Sequence, residues 1–334
     1  MTPFAKALAI GALLLATAAA PVSDTLLAPV NLELRPMARA ILQAQANGMK
    51  FTPPRPGPLP EGVTERQLSA RDGQPPVSIY VINASDTAEK PLRGAILFIH
   101  GGGFISGDAR DNLAALKSLA TRLDCVIVSA QYRLATVAPF PAPMEDNYTA
   151  LKWLHDEAAT LDVDRGRIAL LGESAGGGLA AMVSIAARDR GQVPIAFQAL
   201  VYPMLDDRTG TSRPVPSTIG QIIWTARQNR EGWTAMLGRK PGGATAPVGA
   251  VPARVANLKG LPPTFMGVGS IDLFVDEDIV FARRLVNAGV PTELLVVPGA
   301  FHGFQMIAPK AAVSQEFTAA LEAALARALA SEKK

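Results

Sequence analysis

Cysteine is nearly absent from this 334-residue sequence. The one cysteine, Cys125, lies in the apolar run CVIVSA, which is typical of a buried strand. A single thiol builds neither a disulfide framework nor a cysteine-based zinc site, and no cluster of His, Asp or Glu has the spacing of metal ligands. We therefore expect Cys125 to be a core residue. We also expect a protein without a metal or other cofactor, whose activity a chelator leaves intact.

Charged residues are also few, and the two signs are mixed along the chain. They make up 18% of the residues, the formal net charge is +3, and Lys and Arg form no basic run. Nucleic-acid-binding domains usually concentrate positive charge on one surface, so the sequence does not indicate a nucleic-acid partner. A hydrophobic content of 49% is typical of a globular protein with a large core.

The sequence lacks an apolar run of the roughly 20 residues that a membrane-spanning helix needs. Residues 1–20, MTPFAKALAIGALLLATAAA, instead place Lys6 before a short apolar stretch that ends in small residues. This layout is typical of a secretory signal peptide. We expect a secreted or periplasmic protein with no membrane span in its mature form. An uncleaved anchor and a start codon assigned too early are the alternatives, and the second predicts a cytoplasmic protein.

Seven short apolar runs alternate with longer amphipathic segments. This alternation predicts an α/β fold, in which a mostly parallel central sheet carries helices on both faces. The predicted strands are 77–82, 94–100, 125–132, 167–172, 197–203, 264–270 and 292–299.

Two regions interrupt this alternation. Residues 25–60 hold one helical stretch and a proline-rich segment, and residues 206–262 hold helical pieces between Pro and Gly breaks. In open α/β sheets, ligands bind outside the carboxyl ends of the strands. Residues 206–262 are therefore a candidate lid over one end of the sheet in a single domain, residues 25–334.

The segment LLGESAGGGLA places Ser174 between glycines, after a predicted strand and before a predicted helix. Glycine and serine are also common in plain turns, so the short motif alone is weak. In a sharp strand-to-helix turn, however, the serine projects from the sheet edge, and Gly172 and Gly176 supply the space. The N–H of Ala175 then lies at a helix N-terminus, where it can donate to an anion. This context favours Ser174 as a nucleophile.

A serine nucleophile needs a base, and the sequence offers three histidines. His155 lies among charged residues of a helical segment, which is typical of a solvated face. His100 opens the HGGGF loop and is better explained as a structural hydrogen-bonding group. His302 follows the last predicted strand, in PGAFHGF, and is the favoured base.

The imidazole in turn needs an acid to hold its tautomer. Asp272 directly follows the predicted strand 264–270 and is favoured. The order Ser, Asp, His along the chain is that of α/β-hydrolases. The alternatives are Asp206 and Asp207, which also follow a strand, and Asp276 and Asp278, for which helix capping is the simpler explanation.

Acyl transfer also needs hydrogen-bond donors for an oxyanion. The glycines 101–103 follow a predicted strand, so their unhindered N–H groups can face a substrate, together with that of Ala175. A dinucleotide-binding turn is the alternative, but the G-x-G-x-x-G spacing is not met.

The motifs HGGGF, GESAGG, YPMLDD, DLFVDE and FHGF, in this order, resemble the hormone-sensitive-lipase-like branch of α/β-hydrolases, the bacterial family IV esterases. The resemblance extends from about residue 25 to the end of the chain. It implies a serine carboxylesterase for short- to medium-chain acyl esters, with a cap built from residues 25–60 and 206–262. The residues that it implies are the triad Ser174, Asp272 and His302 and the oxyanion donors Gly102, Gly103 and Ala175.

Three positions depart from this family pattern: Glu173 replaces the usual Asp, Gly178 a frequent Asn, and Thr136 a Pro. Glu173 precedes the nucleophile, so it can alter substrate preference. An exported member would also be less usual.

Other choices stay open at the level of sequence. Phe104, Trp224 and Trp233 are candidate pocket residues, although the spacing of the tryptophans is equally that of a cap core. A binding protein that has lost turnover, and hydrolysis of an amide, a lactone or a polymer-linked acetyl group, are the rival functions. The expected partner is a small acyl ester, and a homodimer is neither indicated nor excluded.

Overall fold

The computed structural model describes residues 23–49, 57–70, 73–83 and 92–331. The predicted signal peptide, residues 1–20, lies outside the described residues, as do residues 50–56 of the proline-rich segment. The strands are β1 (Val63–Leu68), β2 (Val77–Ile82), β3 (Arg93–Ile99), β4 (Val126–Gln131), β5 (Val163–Glu173), β6 (Phe197–Val201), β7 (Thr264–Gly269) and β8 (Thr292–Val297). The α-helices are α1 (Asp24–Leu27), α2 (Arg35–Ala46), α3 (Leu113–Leu123), α4 (Ala142–Asp156), α5 (Ala175–Arg190), α6 (Ala226–Leu237), α7 (Val275–Asn287), α8 (Phe304–Ile307) and α9 (Ala312–Leu329).

These strands form one eight-stranded sheet in the order β1-β2-β4-β3-β5-β6-β7-β8. The pairs from β4 to β8 are parallel, whereas β1 pairs antiparallel with β2, and β2 antiparallel with β4. All seven predicted strands and the mostly parallel sheet are therefore confirmed, and β1 is an addition.

Both faces of the sheet are covered by helices. Alternate residues of the fully buried strand β3 enter different apolar clusters, with Leu97 in one and Phe98 in the other. Helices α4, α5 and α7 cover the first face, and α3 and α9 cover the second. This double burial explains why the central strands are continuous apolar runs. Cys125 is fully buried, as predicted, and burial raises the pKa of its thiol to about 12.

The segment between β6 and β7 contains one α-helix, α6. A reciprocal capping box begins this helix, in which Thr225 and Gln228 each bond to the other's backbone. Upstream of α6, the carbonyl of Gln221 and the N–H of Ile223 lie 3.4 Å from the side-chain amide of Gln45, in α2. The two regions that interrupt the strand–helix alternation therefore contact each other.

None of the helices in the described ranges combines the length and the apolar character needed to cross a membrane.

Candidate active site

Ser174 occupies the tight turn between β5 and α5. Its backbone has φ 56° and ψ −122°, a conformation that few residues with a side chain adopt. A Cβ added at Gly172 would lie 2.2 Å from the carbonyl oxygen of Gly176, and one added at Gly176 would lie 2.1 Å from that of Ile99. The turn therefore requires glycine at both positions, as the sequence predicts.

The structure brings the three predicted side chains into direct contact. Oγ of Ser174 lies 2.9 Å from Nε2 of His302, and Nδ1 of the same ring lies 2.8 Å from Oδ2 of Asp272. The other oxygen of Asp272 accepts the N–H of Phe274 at 3.0 Å. Because the carboxylate accepts the Nδ1 proton, Nε2 is left to accept a proton from the serine. Loops after β5, β7 and β8 thus meet at one edge of the sheet.

The other two histidines lie elsewhere. Nδ1 of His100 lies 2.8 Å from the carbonyl oxygen of Gly101, and the ring stacks on Tyr132 with 4.2 Å between centroids. Burial lowers the pKa of His100 to about 4, so the neutral ring donates its Nδ1 proton to that carbonyl. His155 lies on α4 beside Asp156, 3.5 Å between Nδ1 and Oδ1. Both positions match the structural interpretation.

None of the four alternative acids forms a hydrogen bond or ion pair with His302 within the described ranges. Their positions are as follows: Asp206 pairs with Arg208, Asp207 with Arg254, Asp276 with Arg213, and Asp278 is buried in the first turn of α7 with neither carboxylate oxygen bonded to a described residue.

The glycine loop after β3 lies beside the serine. Gly102 and Gly103 have φ of 116° and 63°, which L side chains rarely adopt. A Cβ at Gly102 would lie 2.0 Å from the carbonyl oxygen of Ser106. Among the described residues, the N–H groups of Gly102 and Gly103 donate to no protein acceptor, and Ala175 is the first residue of α5, where the N–H has no helical partner. These are the three predicted donors.

Three aromatic rings surround the imidazole of His302. The centroid of Tyr202 lies 4.6 Å away, that of Phe274 5.4 Å and that of Trp224 6.4 Å. Sequence reasoning found Trp224 but missed Tyr202 and Phe274. The available signal was position, because Tyr202 directly follows β6 and Phe274 follows the predicted acid by two residues.

The three candidate pocket residues do not share one environment. Trp224 is partly buried, and its ring covers Gly103, where an added Cβ would lie 2.1 Å from Cη2. Phe104 and Trp233 are both fully buried and contact each other edge to face, with centroids 5.1 Å apart. Neither of these two side chains reaches a space open to solvent, so their placement is that of core residues rather than substrate contacts.

Glu277 is a further residue that sequence reasoning missed. It is buried in the first turn of α7 and accepts the N–H groups of Leu205 and Asp206 at 2.7 and 3.1 Å. These two hydrogen bonds hold the loop after β6 against α7, the helix that follows Asp272. The acidic start of α7 was visible in the sequence, but only as a helix-capping pattern.

The described residues contain no group of three or more His, Cys, Asp or Glu side chains arranged to hold a metal ion.

Comparison with known proteins gives consistent matches. Residues 96–306 match the family model described as alpha/beta hydrolase fold. Esterase LipI of Mycobacterium tuberculosis is 36% identical over 225 residues, which cover 66% of this chain and 67% of LipI. Ethyl acetate hydrolase of Pseudomonas putida is 30% identical over 254 residues, 73% of this chain and 76% of that protein. The solved structure titled Bacterial Heroin Esterase has a TM-score of 0.74 at 35% identity and covers 94% of this chain and 100% of its own.

A mostly parallel sheet with a serine, an imidazole and a carboxylate in contact at its carboxyl edge defines an α/β-hydrolase. The chain belongs to this family, in its hormone-sensitive-lipase-like branch of bacterial family IV esterases.

Proposed function

We propose that this chain is a serine carboxylesterase that hydrolyses short- to medium-chain acyl esters through an acyl-enzyme intermediate. The observation that carries the proposal is the contact between Ser174, His302 and Asp272, at 2.9 and 2.8 Å. Esterase names among the matched relatives agree with ester hydrolysis as the reaction class.

In the proposed acylation step, His302 takes the proton of Ser174 while Oγ attacks the ester carbonyl carbon. The imidazolium then gives this proton to the leaving alcohol as the carbon–oxygen bond breaks. In deacylation, His302 takes a proton from water, the resulting hydroxide attacks the acyl-enzyme, and the proton returns to Ser174. Asp272 accepts the Nδ1 proton of His302 and stabilises the imidazolium throughout.

The tetrahedral intermediates carry a negative oxygen, for which we propose Gly102, Gly103 and Ala175 as donors. Their N–H groups have no other described acceptor, so they need no rearrangement before the reaction. Removing one such donor typically costs about 3 kcal/mol of barrier stabilisation.

The preference for shorter acyl groups follows from how enclosed the site is. Ser174 and His302 are 8% and 6% exposed, and Trp224 covers the glycine loop beside them. We propose that residues 25–60 and 206–262 form the cap, because Gln45 of the first region contacts Gln221 of the second. Export stays a prediction from the sequence of residues 1–20.

Initial rates on p-nitrophenyl esters of increasing acyl length test this proposal. Wild type should show a maximum of kcat/KM at short to medium chains. Ser174→Ala and His302→Ala should each lose about 10⁴-fold or more in kcat. Equal rates on long-chain esters would contradict the proposed role of the cap, and full activity of Ser174→Ala would contradict the mechanism.

A further inference from the structure

Glu173, the residue before the proposed nucleophile, carries a carboxylate that no neighbouring group neutralises. In the part of the chain that the structure describes, it forms neither a hydrogen bond through its side chain nor an ion pair. The residue is partly exposed, and its oxygens are not among the fully buried polar atoms that lack a partner. Both oxygens therefore keep some solvent-exposed surface.

The strand register explains where this carboxylate lies. Glu173 is the last residue of β5 and pairs with Val201 of β6, directly before Tyr202. Tyr202 in turn packs against His302. The positive charge of His302 acts on the carboxylate of Glu173, so a group bound at Glu173 lies close to the imidazole that contacts Ser174.

The side-chain oxygen of Gln305, whose amide nitrogen bonds to Tyr202, is a second hydrogen-bond acceptor without a described donor. The hydroxyl oxygen of Tyr202 accepts Nε2 of Gln305 at 2.6 Å, while Oε1 of Gln305 is buried without a partner among the described residues. Gln305 therefore adds a buried acceptor oxygen without a described partner near Tyr202, while the partly exposed carboxylate of Glu173 is the group that a ligand can reach. The negative potential of these oxygens favours a cation.

Glu173 differs from the other carboxylates near the site because no arginine or lysine among the described residues pairs with it. Asp206 and Asp207 are neutralised by Arg208 and Arg254. By contrast, no described Lys or Arg forms an ion pair with Glu173, and the ion-pair partner of Asp272 is His302. A partly dehydrated carboxylate without a partner is unfavourable, and a cation from the substrate removes that cost. The same field repels an anionic substrate.

We propose that Glu173 is a specificity-determining residue that binds a positively charged amino group of the substrate. The site then favours ammonium-bearing esters over uncharged esters of the same shape. This inference rests on the proposed esterase function and adds the substrate class.

Because Glu173 titrates, the preference for cationic esters should depend on pH. Burial raises the pKa of Glu173 to about 7, and the positive charge of His302 acts in the opposite direction. The other titratable group that faces it is Tyr202, whose pKa is raised well above its usual value by burial, so the phenol stays neutral. Glu173 is therefore mostly ionised at about pH 8 and mostly protonated at about pH 6.

The test compares the hydrolysis of acetylcholine with that of its uncharged carbon isostere, 3,3-dimethylbutyl acetate, at about pH 8 and low ionic strength. The readout is the ratio of their kcat/KM values in wild type, Glu173→Gln and Glu173→Asp. Glu231→Gln is the matched control, since it removes the same charge from the exposed face of α6. A fluorophosphonate label, monitored separately, reports whether the nucleophile is competent.

We expect the ratio in wild type to favour the cationic ester and to fall about tenfold in Glu173→Gln, because the variant removes the charge that attracts the trimethylammonium group. Glu173→Asp and Glu231→Gln should keep most of the preference, and the wild-type ratio should fall between about pH 8 and pH 6. An equal loss on both esters in Glu173→Gln, or a wild-type ratio near one at both pH values, would overturn the proposal. If fluorophosphonate labelling and p-nitrophenyl ester hydrolysis persist in wild type, that failure leaves the esterase function intact.

Discussion

Ser174, Asp272 and His302 are in contact because each lies just past the carboxyl end of a parallel strand. Parallel strands bring such positions to the same edge of a sheet, so topology alone predicts that they meet. Tyr202 and Phe274 were not recognisable in this way, since an aromatic residue after a strand is usually core. Their contact with His302 depends on the paths of two loops, and local sequence patterns do not determine these paths.

The glycine loop after β3 leads to a prediction about adding one methyl group, the Cβ of alanine, at Gly102. Gly102→Ala should lower kcat by about 10²-fold or more, because the added Cβ meets the Ser106 carbonyl and moves the N–H donors. Gly289→Ala is the control: it has a similar positive φ, 79°, with no atom within 4 Å of the added Cβ. The values of kcat and Tm of both variants check this. Equal effects on kcat would show that strain alone, rather than the position of the donors, is responsible.

Asp278 offers a prediction about stability and pH. Burial raises the pKa of Asp278 well above its usual range, and the nearby Glu277 and Asp272 raise it further. The folded protein thus keeps a proton that the unfolded chain loses above about pH 4. The free energy of unfolding therefore falls as the pH rises from there towards the folded-state pKa, by at most about 1.4 kcal/mol per pH unit from this group.

Asp278→Asn removes this titration, so it should raise Tm more at about pH 8 than at about pH 5. Thermal unfolding at both pH values measures the difference. Asp276→Asn, in the same helical turn with a 69% exposed side chain, is the control and should show little pH-dependent change. A gain in Tm for Asp278→Asn that is the same at both pH values would contradict the raised pKa.

At the scale of elements, apolar patterning predicted the strands that are buried on both faces. It did not predict β1, which lies at one edge of the sheet. In β1, residues Val63 and Leu68 are buried, and the four residues between them, Thr64 to Gln67, are exposed. Such a strand has no apolar run and no alternation to detect. It is held by backbone pairing with β2, a long-range interaction that a local pattern does not encode. The helices were easier to predict, because their apolar residues recur along one face.

The two tryptophans near α6 give a prediction for the cap. Trp233→Ala should lower the free energy of unfolding by about 3–5 kcal/mol, because the side chain is fully buried against Phe104. Trp224→Ala should cost less stability and should shift the maximum of kcat/KM towards longer or bulkier acyl groups, because it opens the space over Gly103. Denaturant unfolding and the acyl-length series measure these effects. An unchanged chain-length profile in Trp224→Ala would contradict its role as a pocket wall.

At the scale of the whole molecule, the described residues form one sheet with a core on each face, and the site lies where the loops of three parallel strands meet. The N-terminal residues 1–20 lie outside this description, and their role is still a prediction from sequence. We expect mass spectrometry of the protein from its native host to find a mature N-terminus downstream of residue 18, because Ala16-Thr17-Ala18 fits the small-x-small pattern of a signal-peptide cleavage site. An intact Met1 on cytosolic protein would contradict export.

The proposed catalysis depends most on an activated serine at position 174. The most direct measurement is the intact mass of the protein after incubation with a fluorophosphonate. Wild type should gain one covalent adduct, mapped by peptide sequencing to Ser174, and Ser174→Ala should gain none. A wild-type protein that stays unmodified, or a label that persists in Ser174→Ala, would contradict the proposed chemistry.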